Sequence, residues 1–207
     1  MNAEASPGLP LPLPLDMEWV TAPASWSLEG DVLAVTAAAR TDLFTDPLDG
    51  GRRQDAALAL TVPPEGDWQL SARMRVGFRD AWDAGALLVL ADDDHWAKLT
   101  FERAPDGTPG VYSVVTRGRS DDAVAGPVTT DALWLRISRT GERFAFHSSE
   151  DGHLWSLVRQ FTLGDTATLP APRVGIGAQS PVGDGCRAEF DTLRLTPTPL
   201  AHLFDGR

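Results

Sequence analysis

The chain alternates short apolar stretches with turn-forming residues from end to end, and most stretches have the length and period of a β-strand. Residues 31–36 (DVLAVT), 55–62 (DAALALTV) and 68–78 (WQLSARMRVGF) are apolar or alternate, and Pro63-Pro64-Glu65-Gly66-Asp67 separates the last two. Residues 84–91 (AGALLVLA) are apolar throughout, which predicts a strand covered on both faces. Asp92-Asp93-Asp94 turns the chain into 96–103 (WAKLTFER), and Pro105-Asp106-Gly107 turns it into 111–117. Residues 134–140, 144–149 and 154–161, separated by Gly141-Glu142 and Glu150-Asp151-Gly152, read as a meander of hairpins. Stretches 173–179 and 187–196 complete the set, and no window keeps a helical apolar stripe over three turns. About a dozen strands without helices predict an all-β jelly-roll sandwich of two curved antiparallel sheets.

The ends differ from this pattern. Residues 6–16 (SPGLPLPLPLD) alternate leucine with proline, which fixes φ and removes amide donors, so a helix or central strand is excluded there. A polyproline ligand would carry basic flanks, and none are present. The organisation read from the sequence is a lead-in over 1–15, one sandwich domain over 16–196 and a tail over 197–207.

Period-2 alternation also assigns polar side chains to faces. In WAKLTFER, Ala97, Leu99 and Phe101 form the apolar set, so Trp96, Lys98, Thr100 and Glu102 share the other face. In WLRISR, Leu135 and Ile137 oppose Trp134, Arg136 and Ser138, which again sets a tryptophan beside a cation. The parity of VYSVVTR is ambiguous, and Ser113 and Arg117 are assigned to the polar face. If these strands are neighbours, one sheet surface carries Trp96, Lys98, Glu102, Arg117, Trp134 and Arg136, with Trp82 and Asp83 at its mouth. Asp121 and Asp122 would then stand at its rim. An indole face covers the C–H side of a pyranose while charged groups bond its hydroxyls, so the surface is a candidate sugar site. The competing reading is a ladder of ion pairs shielding tryptophans on a solvated sheet face.

Charge narrows the partners. With 29 acidic and 18 basic residues the net charge is −11, which repels a phosphate backbone and argues against nucleic acid. One cysteine, Cys186, allows no internal disulfide, no secretory leader pattern opens the chain, and no run reaches about 18 apolar residues. A cytoplasmic protein that does not enter membranes is expected.

Residues 82–122, with WDAGALLVLADDDHWAKLTFE followed by YSVVTRGRSDD, resemble the regulation-of-enolase-like family. So do Trp19, Pro23, Trp26, LAVTAAARTDLFTDP at 33–47, Gly66-Asp67-Trp68, and LWLRISRTGERFAFHSSEDGHLW with its S-x-D-G-x-x-W ending. The resemblance spans roughly residues 15–195 and implies a concanavalin A-like jelly roll, similar to the C-terminal module of β-xylosidases. It implies no settled activity, and carbohydrate is the ligand class it favours. This chain departs from many relatives at Leu43-Phe44, where they carry a bulkier aromatic pair, and at Ser120-Asp121-Asp122, where they carry Ser-Asp-Trp.

Other chemistries find little support. Glu189-Phe190-Asp191 places two carboxylates on one strand without a third member, and a set assembled across strands from Asp83, Glu102 and Asp121 is the basis of a glycoside hydrolase alternative. The aspartates at 92–94 lack the spacing of a calcium loop, and His95, His147, His153 and His202 lack that of a zinc site. Gly175-Ile176-Gly177 has no following helix, and no G-x-S-x-G elbow occurs. No cofactor or metal is expected. The expected function is non-catalytic binding of a carbohydrate or polyhydroxylated ligand on the concave sheet face. Hydrolysis of a glycoside, or a protein-interaction and regulatory role, are the alternatives.

Overall fold

The computed structural model describes residues 15–207, so the proline-rich lead-in up to residue 14 lies outside the described residues. Sixteen strands run through the described chain: β1 (Glu18–Thr21), β2 (Ser25–Glu29), β3 (Val32–Thr36), β4 (Leu43–Thr45), β5 (Arg52–Gln54), β6 (Ala57–Thr61), β7 (Trp68–Gly77) and β8 (Ala84–Asp92). They continue with β9 (His95–Arg103), β10 (Pro109–Arg117), β11 (Arg119–Pro127), β12 (Leu133–Thr140), β13 (Arg143–Ser149), β14 (Ser156–Phe161), β15 (Arg173–Gln179) and β16 (Arg187–Thr196). Two antiparallel seven-stranded sheets pack as a jelly-roll sandwich, the first ordered β1-β6-β15-β8-β9-β10-β11 and the second β14-β13-β12-β7-β16-β3-β2. No helix of the described residues is long and apolar enough to cross a membrane.

The alternation seen in the sequence fills the space between the sheets. Leu87, Val89, Ala97, Leu99 and Phe101 of the first sheet meet Leu70, Ala72, Met74, Leu135, Ile137 and Phe190 of the second. Burying each large apolar side chain of this set contributes about 1.5–3 kcal/mol. The double-sided apolarity of β8 has its own cause: Ala86 and Leu88 lie on the outer face of the first sheet, under a separate hairpin formed by β4 and β5. There they form a second apolar cluster with Leu43, Leu58, Leu60, Trp96 and Val114. The fold is therefore two layers with a partial third.

Five strands were not legible from pattern. β4 and β5 have three residues each, β1 and β2 are half-exposed edge segments, and β11 (RSDDAVAGP) is almost wholly exposed. β11 is an edge strand held by backbone pairing to β10, with Thr116 opposite Ser120 and Val114 opposite Asp122, so its side chains carry no strand signature. Gly118 takes φ +75° in the tight turn between them, a conformation with no Cβ penalty only for glycine.

The segment after β16 does not trail away. Leu200 is buried, His147 Nε2 donates to the Leu203 carbonyl at 2.6 Å, and Arg136 Nη2 donates to the Gly206 carbonyl at 2.5 Å. The tail straps the outer face of the second sheet.

Candidate functional site

A pocket of about 240 Å³ opens on the outer face of the first sheet, beside the β4–β5 hairpin. Four strands of the first sheet build its floor: Lys98 and Glu102 from β9, Tyr112 and Val114 from β10, Asp122 from β11, and, across β8, Gln179 from the end of β15. Asp42, Phe44, Trp82 and Pro181 close its sides. The register explains the convergence, because Lys98 faces Val114, Thr100 faces Tyr112, and Val114 faces Asp122 across adjacent strands.

Lys98 is buried and bonded to two acceptors. Its ammonium donates to Gln179 Oε1 at 2.7 Å and to Asp42 Oδ1 at 3.2 Å, so it anchors an amide and a carboxylate in fixed orientations. Glu102 is 7% exposed and accepts the Thr100 hydroxyl on Oε2 at 2.8 Å. Burial raises its pKa to about 7, against the opposing pull of the Lys98 charge and the Thr100 hydrogen bond, and the carboxylates of Asp42 and Asp122 push the same way as burial. Glu102 therefore exchanges its proton near neutrality.

The aromatic walls are equally constrained. Trp82 has φ +68°, an outlier for a bulky residue. Its N–H donates to the Arg103 carbonyl at 2.7 Å and its carbonyl accepts from Gln179 at 3.4 Å. The indole meets Tyr112 edge to face, with centroids 6.0 Å apart. Asp83, expected at the mouth of the surface, is instead fully buried and builds this turn: Oδ2 accepts the amides of Arg79 and Asp80, and Oδ1 accepts the Ser180 hydroxyl.

Of the ten residues singled out in the sequence, Trp82, Lys98, Glu102 and Asp122 come together in this pocket. Trp96 shares the face but is 1% exposed, covered by the second apolar cluster. Trp134 and Arg136 belong to β12 in the other sheet, where Arg136 lies 4.0 Å over the Trp155 ring and burial lowers its pKa to about 10. The repeated tryptophan-plus-cation pattern thus splits between two sheets and forms no common surface. The β10 parity also runs opposite to the expected assignment, since Val111 and Val115 enter the core with Ser113 between them, and Tyr112, Val114 and Thr116 face outward. Alternation could not decide this, because both faces of β10 are covered.

Arg117 and Asp121 do not line this pocket and contact other elements instead. Arg117 donates to the Thr162 carbonyl at 3.4 Å, and Asp121 pairs with Arg159 of β14 at 2.9 Å, joining the edges of the two sheets. Arg119 donates to the Asp46 carbonyl and Ser120 accepts the Thr45 amide, so the same turn holds the β4–β5 hairpin in place. Glu189 and Asp191 are matched by Arg187 and Arg75. In the acidic turn, Asp92 accepts the Asp94 amide and contacts His95, while Asp94 pairs with Arg52.

The residues that sequence reading missed are Asp42, Phe44, Tyr112 and Gln179. Asp42 and Phe44 lie in a stretch with no strand-length pattern, and Gln179 is the lone polar residue ending an apolar strand, which was the available signal. Beside Gln179, Cys186 donates to its carbonyl and is 1% exposed, and burial pushes the thiol up to about 12. Iodoacetamide at pH 8 is expected to leave it unmodified in the folded protein and to alkylate it in denaturant. Rapid native labelling would contradict this burial.

A family described as Protein of unknown function (DUF1349) matches residues 19–198. No curated protein matches the chain in sequence. Its fold is similar to that of a functionally unknown protein from Saccharomyces cerevisiae, with a TM-score of 0.77 at 24% identity, covering 87% of this chain and 95% of that one. It is also similar to part of the GH43 BlXynB protein from Bacillus licheniformis, with a TM-score of 0.67 and 17% identity over 90% of this chain and 37% of that one. Xylan beta-1,4-xylosidase from Bacillus halodurans matches with a TM-score of 0.64 and 14% identity, over 94% of this chain and 41% of that one. The chain thus spans about two fifths of each of these two proteins.

Proposed function

Because the chain belongs to the DUF1349 family and carries this aromatic and carboxylate pocket, we propose that it binds a carbohydrate or related polyhydroxylated ligand there without transforming it. The carrying observation is the convergence of Trp82, Tyr112 and Phe44 on Glu102, Asp122, Asp42 and Gln179 in one pocket of about 240 Å³. Apolar ring faces would cover the C–H side of a pyranose, and the fixed acceptors would take its hydroxyls. The likeness in fold to part of a xylan beta-1,4-xylosidase lends the sugar class further support. Tyr112→Ala is expected to weaken binding of a sugar ligand at least tenfold while costing about 0.5–1.5 kcal/mol of unfolding stability, since the half-buried ring meets Trp82 edge to face. Calorimetric titration of a mono- and oligosaccharide panel tests this, and a panel without any binder would refute the reading.

A second reading, cleavage of a glycoside, has one observation in its favour. Glu102 holds its proton up to about pH 7 within the same pocket as Asp42 and Asp122, and glycoside hydrolysis needs one protonated and one ionised carboxyl. Turnover of chromogenic glycosides that disappears in Glu102→Gln would establish it in place of simple binding.

A further inference from the structure

The charges in the pocket do not balance. Lys98 is answered by Asp42 at 3.2 Å. Arg53, which pairs with Phe44 in the β4–β5 hairpin, donates its guanidinium to the Pro181 carbonyl at the rim. Glu102 and Asp122 make no salt bridge among the described residues, and the Lys98 charge that pulls on Glu102 is already shared with Asp42. Glu102 is the sharper case, because it is more than nine-tenths buried and its Oε1 accepts no hydrogen bond from any described residue.

These two carboxylates face an aromatic corner. Trp82 and Tyr112 meet at 83°, and Phe44 stands on the same pocket wall. Negative ring faces beside carboxyl groups attract an ammonium group, which draws Glu102 into its ionised form, whereas a neutral hydroxyl brings no charge and an acidic sugar is repelled by Asp122. We propose that the group recognised here is a protonated amine carried on a sugar, so that the ligand is an amino sugar. This rests on the reading of the pocket as a sugar site.

Recognition of this kind is linked to a proton. The charged or titratable groups facing Glu102 are Lys98 on its own strand, Asp42, Tyr112 and Asp122. An ammonium arriving beside the carboxyl favours its ionised form, so an amine ligand releases a proton near pH 6 and a neutral sugar does not. The amine also gains ring contacts, and a preference of about tenfold over the parent hexose is the expected size.

The test is titration at pH 6 with glucosamine, galactosamine and mannosamine, set against glucose, galactose and mannose and against the three N-acetyl forms. Calorimetry in two buffers of different ionisation heat reads the proton. The expected result is that one amine binds about tenfold tighter than its hexose and its N-acetyl form, releasing close to one proton. Glu102→Gln, which keeps the shape and the Thr100 contact, is expected to abolish the proton release and reduce the preference below about threefold. Asp122→Asn, on the exposed rim, is expected to reduce the preference without risk to the fold. Hexoses binding as tightly as their amines would overturn the amino-sugar inference and leave sugar binding standing. Binding by none of the nine would remove both. A preference that survives both substitutions would place recognition elsewhere and overturn the inference.

Discussion

Trp96→Ala is expected to destabilise the protein by about 3–5 kcal/mol, the range for truncating a large aromatic side chain in a core. The indole is 1% exposed and wedged among Leu43, Leu58, Leu88 and Val114, so alanine would leave a cavity roofed by the β4–β5 hairpin. The hairpin is small and is tied down at its tip by Arg119 and Ser120, so it cannot follow the side chain inward without breaking those bonds. Trp96→Phe should cost less than half as much, because it retains most of the apolar volume and removes an indole N–H that has no partner among the described residues. Denaturant midpoints of the two variants decide the matter. A loss below about 1 kcal/mol for alanine would mean that the hairpin does not cover the ring. The sequence suggested a stacking platform for ligand at this position, and the structure makes it a packing residue, so the large effect belongs to stability.

The second large effect depends on pH. Glu102 titrates at its ordinary value of 4.5 in the unfolded chain and at about 7 in the folded protein. Between those values the native state binds the extra proton, so this residue's contribution to stability is complete below pH 4.5 and is lost as the pH rises to about 7. The whole difference is on the order of 3 kcal/mol. Glu102→Gln removes the titrating group while preserving an acceptor for Thr100. The variant should therefore match the parent near pH 4 and exceed it by up to about 3 kcal/mol at pH 8. Urea unfolding of both proteins at several pH values between 4 and 8 gives the difference curve, and parallel curves would show that Glu102 is not held away from water. The stability cost borne at neutral pH is what leaves a carboxyl available for a ligand.

Much of the candidate site was hidden from the sequence for a geometric reason. Lys98 and Glu102 were legible because β9 alternates cleanly and its core set, Ala97, Leu99 and Phe101, is unambiguous. Tyr112 was misassigned because β10 is covered on both faces, by the other sheet and by the hairpin, so polarity could not mark its outward side. Trp134 and Arg136 repeat the pattern of Trp96 and Lys98 with equal regularity, yet local pattern carries no information about which sheet a strand joins. The turn around Gly118 shows the same limit. The sequence places Arg117 on the sheet surface and Asp121 and Asp122 at its rim, but Arg117 and Asp121 reach a carbonyl and an arginine on other elements, and of the three Asp122 alone lines the pocket.

The sequence by itself determined the all-β class, the principal strands, the turns between them and the inner face of most strands, because side-chain alternation and turn chemistry act over a few residues. The tertiary structure alone decided strand order, the third layer over Trp96 and the meeting of Asp42, Phe44, Tyr112 and Gln179 with Lys98 and Glu102. Strand pairing sets Tyr112 beside Lys98 and, across β8, brings in Gln179, whereas Asp42 and Phe44 arrive with the separate β4–β5 hairpin, held by the Thr41–Ser180 bridge and the Thr45–Ser120 bond.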